Sequence, residues 1–248
     1  MIGVVDAAFA LAYFWWSDSA EAAMADAPAA VVFDIFGTLF SLEPVGERLE
    51  RAGLPRSSLD LLFARTLRDA FALEVAGDFH RFREVMAGTL QVLFATSGRQ
   101  PDREAIDRTL DAFSELPPFP DVRPAFELLR ERGIHVVTLG NGSAATVRGL
   151  LERSGLAPLV QAVLSIEDAK HWKPQAAAYQ HAEQKLGFRA DQLALVAAHA
   201  WDVQGAKRAG WRAAWVSRLE KQFHPAMQAG DVTGSTVQEA VRALLDGR

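Results

Sequence analysis

Four short stretches of the chain carry side chains that could act together on an electrophilic substrate. In the first, residues 31–40, three apolar residues precede a lone carboxylate, Asp34. A carboxylate at the end of a buried strand can attack carbon or phosphorus and form an ester that water later cleaves. Gly37 permits a tight turn, so the Thr38 hydroxyl can orient the Asp34 carboxylate. An N-cap or turn role is the commoner fate of such an aspartate, and the other stretches decide between the two interpretations.

The second stretch, residues 139–143, reads Leu-Gly-Asn-Gly-Ser and follows an apolar run. Its backbone N–H groups, the Asn141 amide and the Ser143 hydroxyl lie just before a predicted helix, which is a favourable place for an anion. A plain N-cap at Ser143 is an equally good interpretation, and both can hold at once.

The third stretch supplies a cation. Lys173 precedes Pro174 at the start of a predicted helix. Most lysines are solvated surface charges, but one placed toward a nucleophilic aspartate would neutralise and orient its carboxylate. Tyr179 follows on the same helix and could place its hydroxyl in the same cleft, or be a half-buried helix residue.

The fourth stretch, residues 197–202, reads Ala-Ala-His-Ala-Trp-Asp. Asp202 is either the cap of the next helix or a site carboxylate that positions water. Among the histidines, His199 is the one that we place at the site. Trp201 is interpreted first as a packing residue.

Composition excludes several classes of protein. The chain has 248 residues, 50% of them hydrophobic, and a formal net charge of −5. It contains no cysteine, which excludes disulfides, thiolate metal sites and cysteine nucleophiles. The mild acidity argues against nucleic acid as a partner, because no dense Lys/Arg face is present. The histidines other than His199 form no metal-ligand spacing, so neither a metal nor another cofactor is predicted.

Residues 1–27 are predicted to be an N-terminal extension on a domain whose natural start could be Met24. Residues 7–16 are an apolar run that is too short to span a bilayer. A secretory signal begins with positive charge, but no Lys or Arg precedes Arg48. We therefore expect a cytoplasmic protein without a membrane partner. The aromatic part of the extension, residues 14–16, could still cover a partner subunit.

The hydrophobic pattern predicts how these stretches are positioned. Residues 42–118 show only helical periodicity, so we expect a helical cap domain inserted after the first strand. The predicted helices of the cap are residues 45–52, 59–75, 82–94 and 103–113. Residues 117–120 read Pro-Pro-Phe-Pro, a stiff stretch that suits a return to the core.

From residue 121 onward, helices and strands alternate. The predicted helices are residues 124–132, 144–153, 175–186, 203–209 and 237–245, and the predicted strands are residues 135–139, 162–165, 193–197 and 213–216. This alternation predicts a Rossmann-like, doubly wound parallel sheet built from residues 28–41 and 119–248. Because the carboxyl ends of parallel strands meet at one edge, Asp34, Asn141, Lys173 and Asp202 should lie together.

Taken together and in this order, the stretches resemble the haloacid dehalogenase superfamily, and most of all its (S)-2-haloacid dehalogenases. The resemblance rests on residues 33–40, 141–143, 173–174 and 201–202 and covers about residues 29–220. It implies a Rossmann-like core, an inserted helical cap and a homodimer.

The resemblance also bears on the choice between dehalogenase and phosphatase. Phosphatases of the superfamily bind Mg²⁺ and use a second Asp, two residues after the nucleophile, as a general acid. Here that position is Phe36, and the usual Gly-Asp of the fourth motif is Ala197-Ala198. A phosphoryl group needs the metal and the acid, whereas a halide leaves without protonation. Metal-independent dehalogenation is therefore favoured over a Mg²⁺-dependent phosphatase, and a non-catalytic interaction protein is a further alternative.

The resemblance implies a mechanism on a small haloacid substrate. Asp34 would attack C2 of a short 2-haloalkanoate with inversion, and water would then hydrolyse the ester to release a 2-hydroxy acid. Lys173 would keep Asp34 ionised and Asp202 would position water. Asn141 and the Gly140 backbone would bind the substrate carboxylate or halide.

Five further positions are assigned to substrate or halide binding. An arginine of the cap normally cradles the halide, and Arg65 is the predicted match, with Arg68 one helical turn along as the alternative. Phe36, Tyr179, His199 and Trp201 complete the predicted binding region.

Three of the predicted positions depart from the family pattern. Phe36 replaces a usual Tyr, Gly140 replaces a hydroxyl residue, and His199 replaces an Asn. Each lost donor could cost about 1–3 kcal/mol where it faced a buried charge. His199 could compensate, or could act in the water step.

Overall fold

The computed structural model describes residues 27–100 and 103–247, and its core is a six-stranded parallel sheet. The strands are β1 (Ala30–Phe33), β2 (His135–Gly140), β3 (Ala162–Ser165), β4 (Leu193–Ala197), β5 (Arg212–Val216) and β6 (Val232–Gly234), in the order β3-β2-β1-β4-β5-β6. β1 lies between β2 and β4, where the chain changes the direction in which it adds strands. In such sheets the crevice beside the central strand is the place for a ligand.

Helices cover both faces of the sheet. They are α5 (Val122–Glu131), α6 (Ala144–Arg153), α7 (Ile166–Ala169), α8 (Ala176–Leu186), α9 (Ala200–Arg208) and α10 (Val237–Asp246). Phe33 packs with Phe126 of α5 on one face, and Val32 belongs to the cluster of Tyr179 and Val203 on the other. Because both faces are buried, the strands read as continuous apolar runs. The predicted doubly wound α/β fold is confirmed.

A helical insertion, residues 42–118, lies between β1 and α5. Its described part contains α1 (Glu43–Arg51), α2 (Ser58–Val75), α3 (Phe82–Thr96), α4 (Arg103–Asp111) and a short 3-10 helix (Ala112–Ser114). The two ends of the insertion run antiparallel, since Phe40 bridges Pro118 and the Ser41 N–H donates to the Pro117 carbonyl at 2.9 Å. Its status as a separate cap domain, with a core of residues 28–41 and 119–248, stays a prediction.

Two sequence predictions about elements were wrong. Residues 213–216 are not the last strand, because β6 follows; three residues are too few to show a strand pattern. The helix predicted at 203–209 begins at Ala200, so Asp202 lies in its first turn and His199 takes the cap position. The Ala200 N–H donates to the Glu220 carboxylate at 3.0 Å. Because Glu220 lies 20 residues further along the chain, the local sequence does not indicate this helix start.

The predictions for the N-terminal extension lie outside the described residues, apart from its last position. Within residues 27–100 and 103–247, no helix is both long enough and apolar enough to cross a membrane.

Candidate active site

Asp34 lies directly after β1, in the crevice between β2 and β4. Its backbone N–H donates to the Val196 carbonyl at 3.1 Å, and its side chain is only 8% exposed. Gly37, with φ of 78°, turns the chain back so that the Thr38 hydroxyl donates to Asp34 Oδ2 at 2.7 Å. The same hydroxyl accepts the Ala198 N–H at 2.9 Å, which ties the loop after β1 to the loop after β4.

Lys173 bridges two carboxylates. Its Nζ lies 2.9 Å from Asp34 Oδ1 and 2.6 Å from Asp202 Oδ2, and its side chain is 0% exposed. Its backbone N–H donates to Asn141 Oδ1 at 3.2 Å. The structure thus brings together the four residues that were expected to meet at this edge of the sheet. A buried ammonium is tolerated here because two carboxylates neutralise it.

Tyr179 holds the far side of Asp202. Its hydroxyl donates to Asp202 Oδ1 at 2.6 Å and lies 3.1 Å from the Asp202 carbonyl oxygen. A Cβ at Gly205 would lie 2.3 Å from the Tyr179 hydroxyl oxygen, so the phenol fits only beside a glycine. Both carboxylate oxygens of Asp202 are therefore held in place, one by the phenol and one by Lys173.

Burial and neighbouring charges shift the pKa values of this cluster in different directions. Burial alone would raise the pKa of Asp34, but Lys173, His199 and Thr38 together lower it below its ordinary value. Burial raises the pKa of Asp202, although Lys173 opposes this rise. Burial would lower the pKa of Lys173, but the charges of Asp202 and Asp34 raise it. Asp34 and Lys173 are therefore both charged at neutral pH.

His199 is stacked between two aromatic rings. The ring centroids of Phe63 on α2 and of Trp201 lie 5.5 Å and 5.3 Å from its own. His199 Nε2 lies 2.8 Å from the Phe36 carbonyl oxygen and 3.7 Å from Asp34 Oδ2. Because a carbonyl oxygen can only accept, Nε2 carries the proton and donates it to the Phe36 carbonyl, beside the nucleophile.

A cavity lies between the helical insertion and the core. Its volume is about 470 Å³, and Phe36 and Gly142 form part of its lining. Phe36 packs against Phe82 and Phe113 of the insertion at centroid distances of 5.3 Å and 5.1 Å. A Cβ at Gly142 would lie 3.0 Å from the Phe36 ring, so the two residues are in close contact. The cavity therefore adjoins the loops that carry Asp34 and Asn141.

A comparison with known protein families assigns the chain to one of them. The description of the matching family is haloacid dehalogenase-like hydrolase, and the match covers residues 28–210. The chain belongs to this family. The resemblance expected from the motifs is thereby confirmed.

Individual relatives agree with the family assignment. Haloacetate dehalogenase H-2 of Moraxella sp. (strain B) is 29% identical over 217 residues, which cover 87% of this chain and 97% of the relative. An (S)-2-haloacid dehalogenase of Pseudomonas sp. (strain YL) is 27% identical over 203 residues, 81% of this chain and 88% of the relative. The solved L-2-haloacid dehalogenase of Xanthobacter autotrophicus with chloropropionic acid covalently bound has a TM-score of 0.79, 24% identity and coverage of 88% of this chain and 98% of that one.

In this haloacid dehalogenase-like hydrolase, the side-chain hydrogen bond of Arg65 goes to another residue of the insertion and not to the cluster around Asp34. Its Nη1 lies 3.4 Å from Thr96 Oγ1, between α2 and α3. The alternative, Arg68, pairs with its neighbour Asp69 at 2.7 Å. Phe63 and Phe71 mark the face of α2 that contacts His199 and Trp201. Two residues along a helix correspond to about 200°, so a residue two positions from Phe63 points away from that face.

Two other cations of the hydrolase were missed by the sequence analysis. Arg81 and Arg83 flank Phe82 at the start of α3 and line the cavity. Arg83 pairs with Asp111 at 2.9 Å, whereas the Arg81 Nε lies 3.9 Å from Glu167. The sequence signal that could have identified them is their position on either side of Phe82, an apolar residue that is buried in the structure.

The lowered pKa of Asp34 predicts how stability responds to acid. A carboxyl group whose pKa falls on folding contributes its full stabilisation at pH values above its pKa in the unfolded chain, about 3.9 for aspartate. That contribution is lost as the pH falls from this value through the lower pKa of the folded state. The free energies of unfolding of wild type and Asp34→Asn should therefore differ by a constant amount between about pH 7 and about pH 5, and converge only below about 3.9. Urea unfolding at each pH measures this, and convergence near pH 6 would contradict the lowered pKa.

Proposed function

We propose that this hydrolase removes halide from short 2-haloalkanoic acids through an ester on Asp34, without a metal ion. The observation that carries the proposal is the state of Asp34, a buried carboxylate that Lys173 keeps ionised at 2.9 Å. The residue two positions later is Phe36, so the loop offers no acid to protonate a leaving group. A halide needs no proton, whereas an alkoxide does.

In the first step, a carboxylate oxygen of Asp34 forms a bond to C2 while the carbon–halogen bond breaks and its electron pair leaves with the halide. Lys173 and Thr38 hold the two oxygens of Asp34, which fixes the direction of attack. The relative from Xanthobacter, solved with chloropropionic acid covalently bound, supports an intermediate of this kind.

In the second step, water attacks the ester carbonyl of Asp34, and the bond between that carbonyl carbon and the substrate oxygen breaks. The departing oxygen takes up one of the two protons of the water and leaves as the 2-hydroxy acid, the other proton is released, and Asp34 returns to a carboxylate. We assign Asp202 to accept the proton of this water, because burial raises its pKa and makes it a better base than an exposed aspartate. Tyr179 and Lys173 hold Asp202 in place for this role.

Substrate binding is assigned to groups around this carboxylate pair. The Gly140 backbone ends β2 and Asn141 follows it, while the His199 ring lies with its Nε2 3.7 Å from Asp34 Oδ2. Phe36 and Trp201 provide apolar contact. We assign the attraction of the substrate carboxylate to Arg81, whose guanidinium lines the cavity and lies 3.9 Å from the Glu167 carboxylate.

A Mg²⁺-dependent phosphatase is less well supported. The Lys173 ammonium stands between Asp34 and Asp202, and the His199 N–H faces the Phe36 carbonyl. A metal ion bridging these oxygens would have to displace both groups. The non-catalytic alternative is also less well supported, because a buried ammonium with two carboxylates stabilises a fold little and is typical of functional sites. The predicted homodimer, the cytoplasmic location and the absence of nucleic-acid and membrane partners stay predictions.

Halide release from racemic 2-chloropropionate in the presence of EDTA tests the proposal. Because Asp34 lies in a buried crevice and approaches C2 from one side, release should stop at half of the racemate, with one enantiomer left. Chiral chromatography and a halide electrode measure both results. The exposed substitution Asp60→Asn is the matched control. No halide release from haloacids, together with Mg²⁺-dependent hydrolysis of an aryl phosphate, would favour the phosphatase.

A further inference from the structure

One carboxylate of the helical insertion holds the core residues that immediately precede Lys173. Glu74, near the end of α2, has its Oε1 2.7 Å from Nδ1 of His171. Its Oε2 accepts the backbone N–H of Trp172 at 3.0 Å. The Glu74 side chain is only 13% exposed. A largely buried carboxylate thus uses both of its oxygens on two successive residues of the core.

Trp172 adds further contacts with the insertion. Its indole N–H donates to the His80 carbonyl at 2.8 Å, and its ring lies 6.1 Å from that of Phe82. The Trp172 side chain is fully buried. Before it, the Lys170 ammonium lies 5.2 Å from the centroid of the Phe79 ring. Residues 74–82 therefore contact each of residues 170–172, and Trp172 is buried between them and the core.

The next residue, Lys173, is held from the opposite side. Its backbone N–H donates to the side chain of Asn141 in the core at 3.2 Å. Two successive N–H groups, those of Trp172 and Lys173, are thus fixed by side chains from the insertion and from the core. An ammonium on a flexible four-carbon stem is placed accurately only when its backbone is fixed.

We propose that Glu74 is a positioning residue that, through Trp172, holds the Lys173 ammonium between Asp34 and Asp202. The site is then complete only when the insertion is seated on the core. Glu74 acts through other residues, since its hydrogen bonds go to His171 and Trp172. The catalytic consequence rests on the dehalogenation proposed above, whereas the structural one does not.

Two substitutions at Glu74 test this role. Glu74→Ala removes both hydrogen bonds, whereas Glu74→Gln keeps an oxygen that can accept the Trp172 N–H. We expect Glu74→Ala to lower kcat by about 10- to 100-fold, the effect of a displacement of about 1 Å at a catalytic group, with little change in KM. Glu74→Gln should recover most of the rate. Glu47→Ala is the matched control, because this carboxylate on α1 is 46% exposed and pairs only loosely with Arg51 and Arg56, at 3.9 and 3.8 Å.

The pH profile separates positioning from a general loss of stability. The titratable groups that face Asp34 are Lys173, His199 and Asp202. If Lys173 moves away, the pKa of Asp34 rises, and the acid limb of kcat/KM should move to higher pH in Glu74→Ala but not in Glu47→Ala. A variant that merely unfolds more easily loses amplitude without moving this limb. An unchanged kcat and an unchanged limb in Glu74→Ala would overturn the proposal.

Amide hydrogen exchange provides a readout that needs no substrate. Mass spectrometry of a peptide containing residues 172–173 should show faster exchange in Glu74→Ala, including at the Lys173 amide, which Glu74 does not contact. If wild type releases no halide from any haloacid, the proposed function fails, and this exchange alone decides the role of Glu74. Unchanged exchange at Lys173 would then overturn it.

Discussion

Replacing Asp34 with Asn is expected to lower halide release by a factor on the order of 10³ or more, because the carboxamide is uncharged and a poor nucleophile. Asn has nearly the same shape, and the Lys173 ammonium keeps Asp202 at 2.6 Å as a partner. We therefore expect the variant to remain folded, as thermal unfolding can check. Asp60→Asn, on the exposed side of α2, should keep the wild-type rate.

A single turnover in H₂¹⁸O identifies the atom that carries the ester. With enzyme in excess over substrate, the oxygen of the 2-hydroxy acid comes from Asp34, and the label enters the Asp34 carboxylate instead. Mass spectrometry of the peptide containing Asp34 should show one ¹⁸O atom, and the product should show none. Label in the product after one turnover would instead indicate direct attack of water on C2 and would exclude an Asp34 ester.

Replacing Lys173 with Met is expected to affect both stability and rate. Without the ammonium, Asp34 and Asp202 remain buried with no positive charge between them. Removing one partner of a buried ion pair typically costs about 3–5 kcal/mol. One of the carboxyl groups should then bind a proton at neutral pH, which lowers the rate by a factor on the order of 10² or more.

Urea unfolding and halide release measure the two effects on the same preparation. Lys185→Met, on the exposed face of α8, is the matched control. Adding Asp202→Asn to Lys173→Met removes one of the two like charges and should restore part of the lost stability, because the cost arises from carboxylates without a partner. A Lys173→Met variant as stable as wild type would contradict the assignment of Lys173 as the neutralising group.

The sequence was sufficient to predict that Asp34, Asn141, Lys173 and Asp202 lie together. Each follows a strand of the parallel sheet, and parallel strands end at a common edge. The hydrophobic pattern predicted the strands, and the strand ends alone placed these four residues at one edge of the sheet before any of their contacts was known. It also located the helices of the insertion, because long helices repeat their apolar face over several turns.

What the sequence could not provide depends on contacts between distant segments. The start of α9 is capped by Glu220, which lies on a different loop. The ring partners of His199 include Phe63 of the insertion. Arg65 was chosen by resemblance to the cap arginine of the family, but the face that α2 presents to the core is set by Phe63 and Phe71. The Phe63, Leu67 and Phe71 spacing would have indicated this face, because residues four apart share a side of a helix.

The central place of β1 has a consequence for biosynthesis. β1 leaves the ribosome early, yet both of its neighbours, β2 and β4, come much later; Thr38 and Ala198, which join their loops, are 160 residues apart. At translation rates of about 5–20 residues per second, this apolar strand waits on the order of 10–30 seconds for its second partner. During that interval its unpaired edge is open to other nascent chains, so soluble yield should depend on chaperone supply more than on final stability.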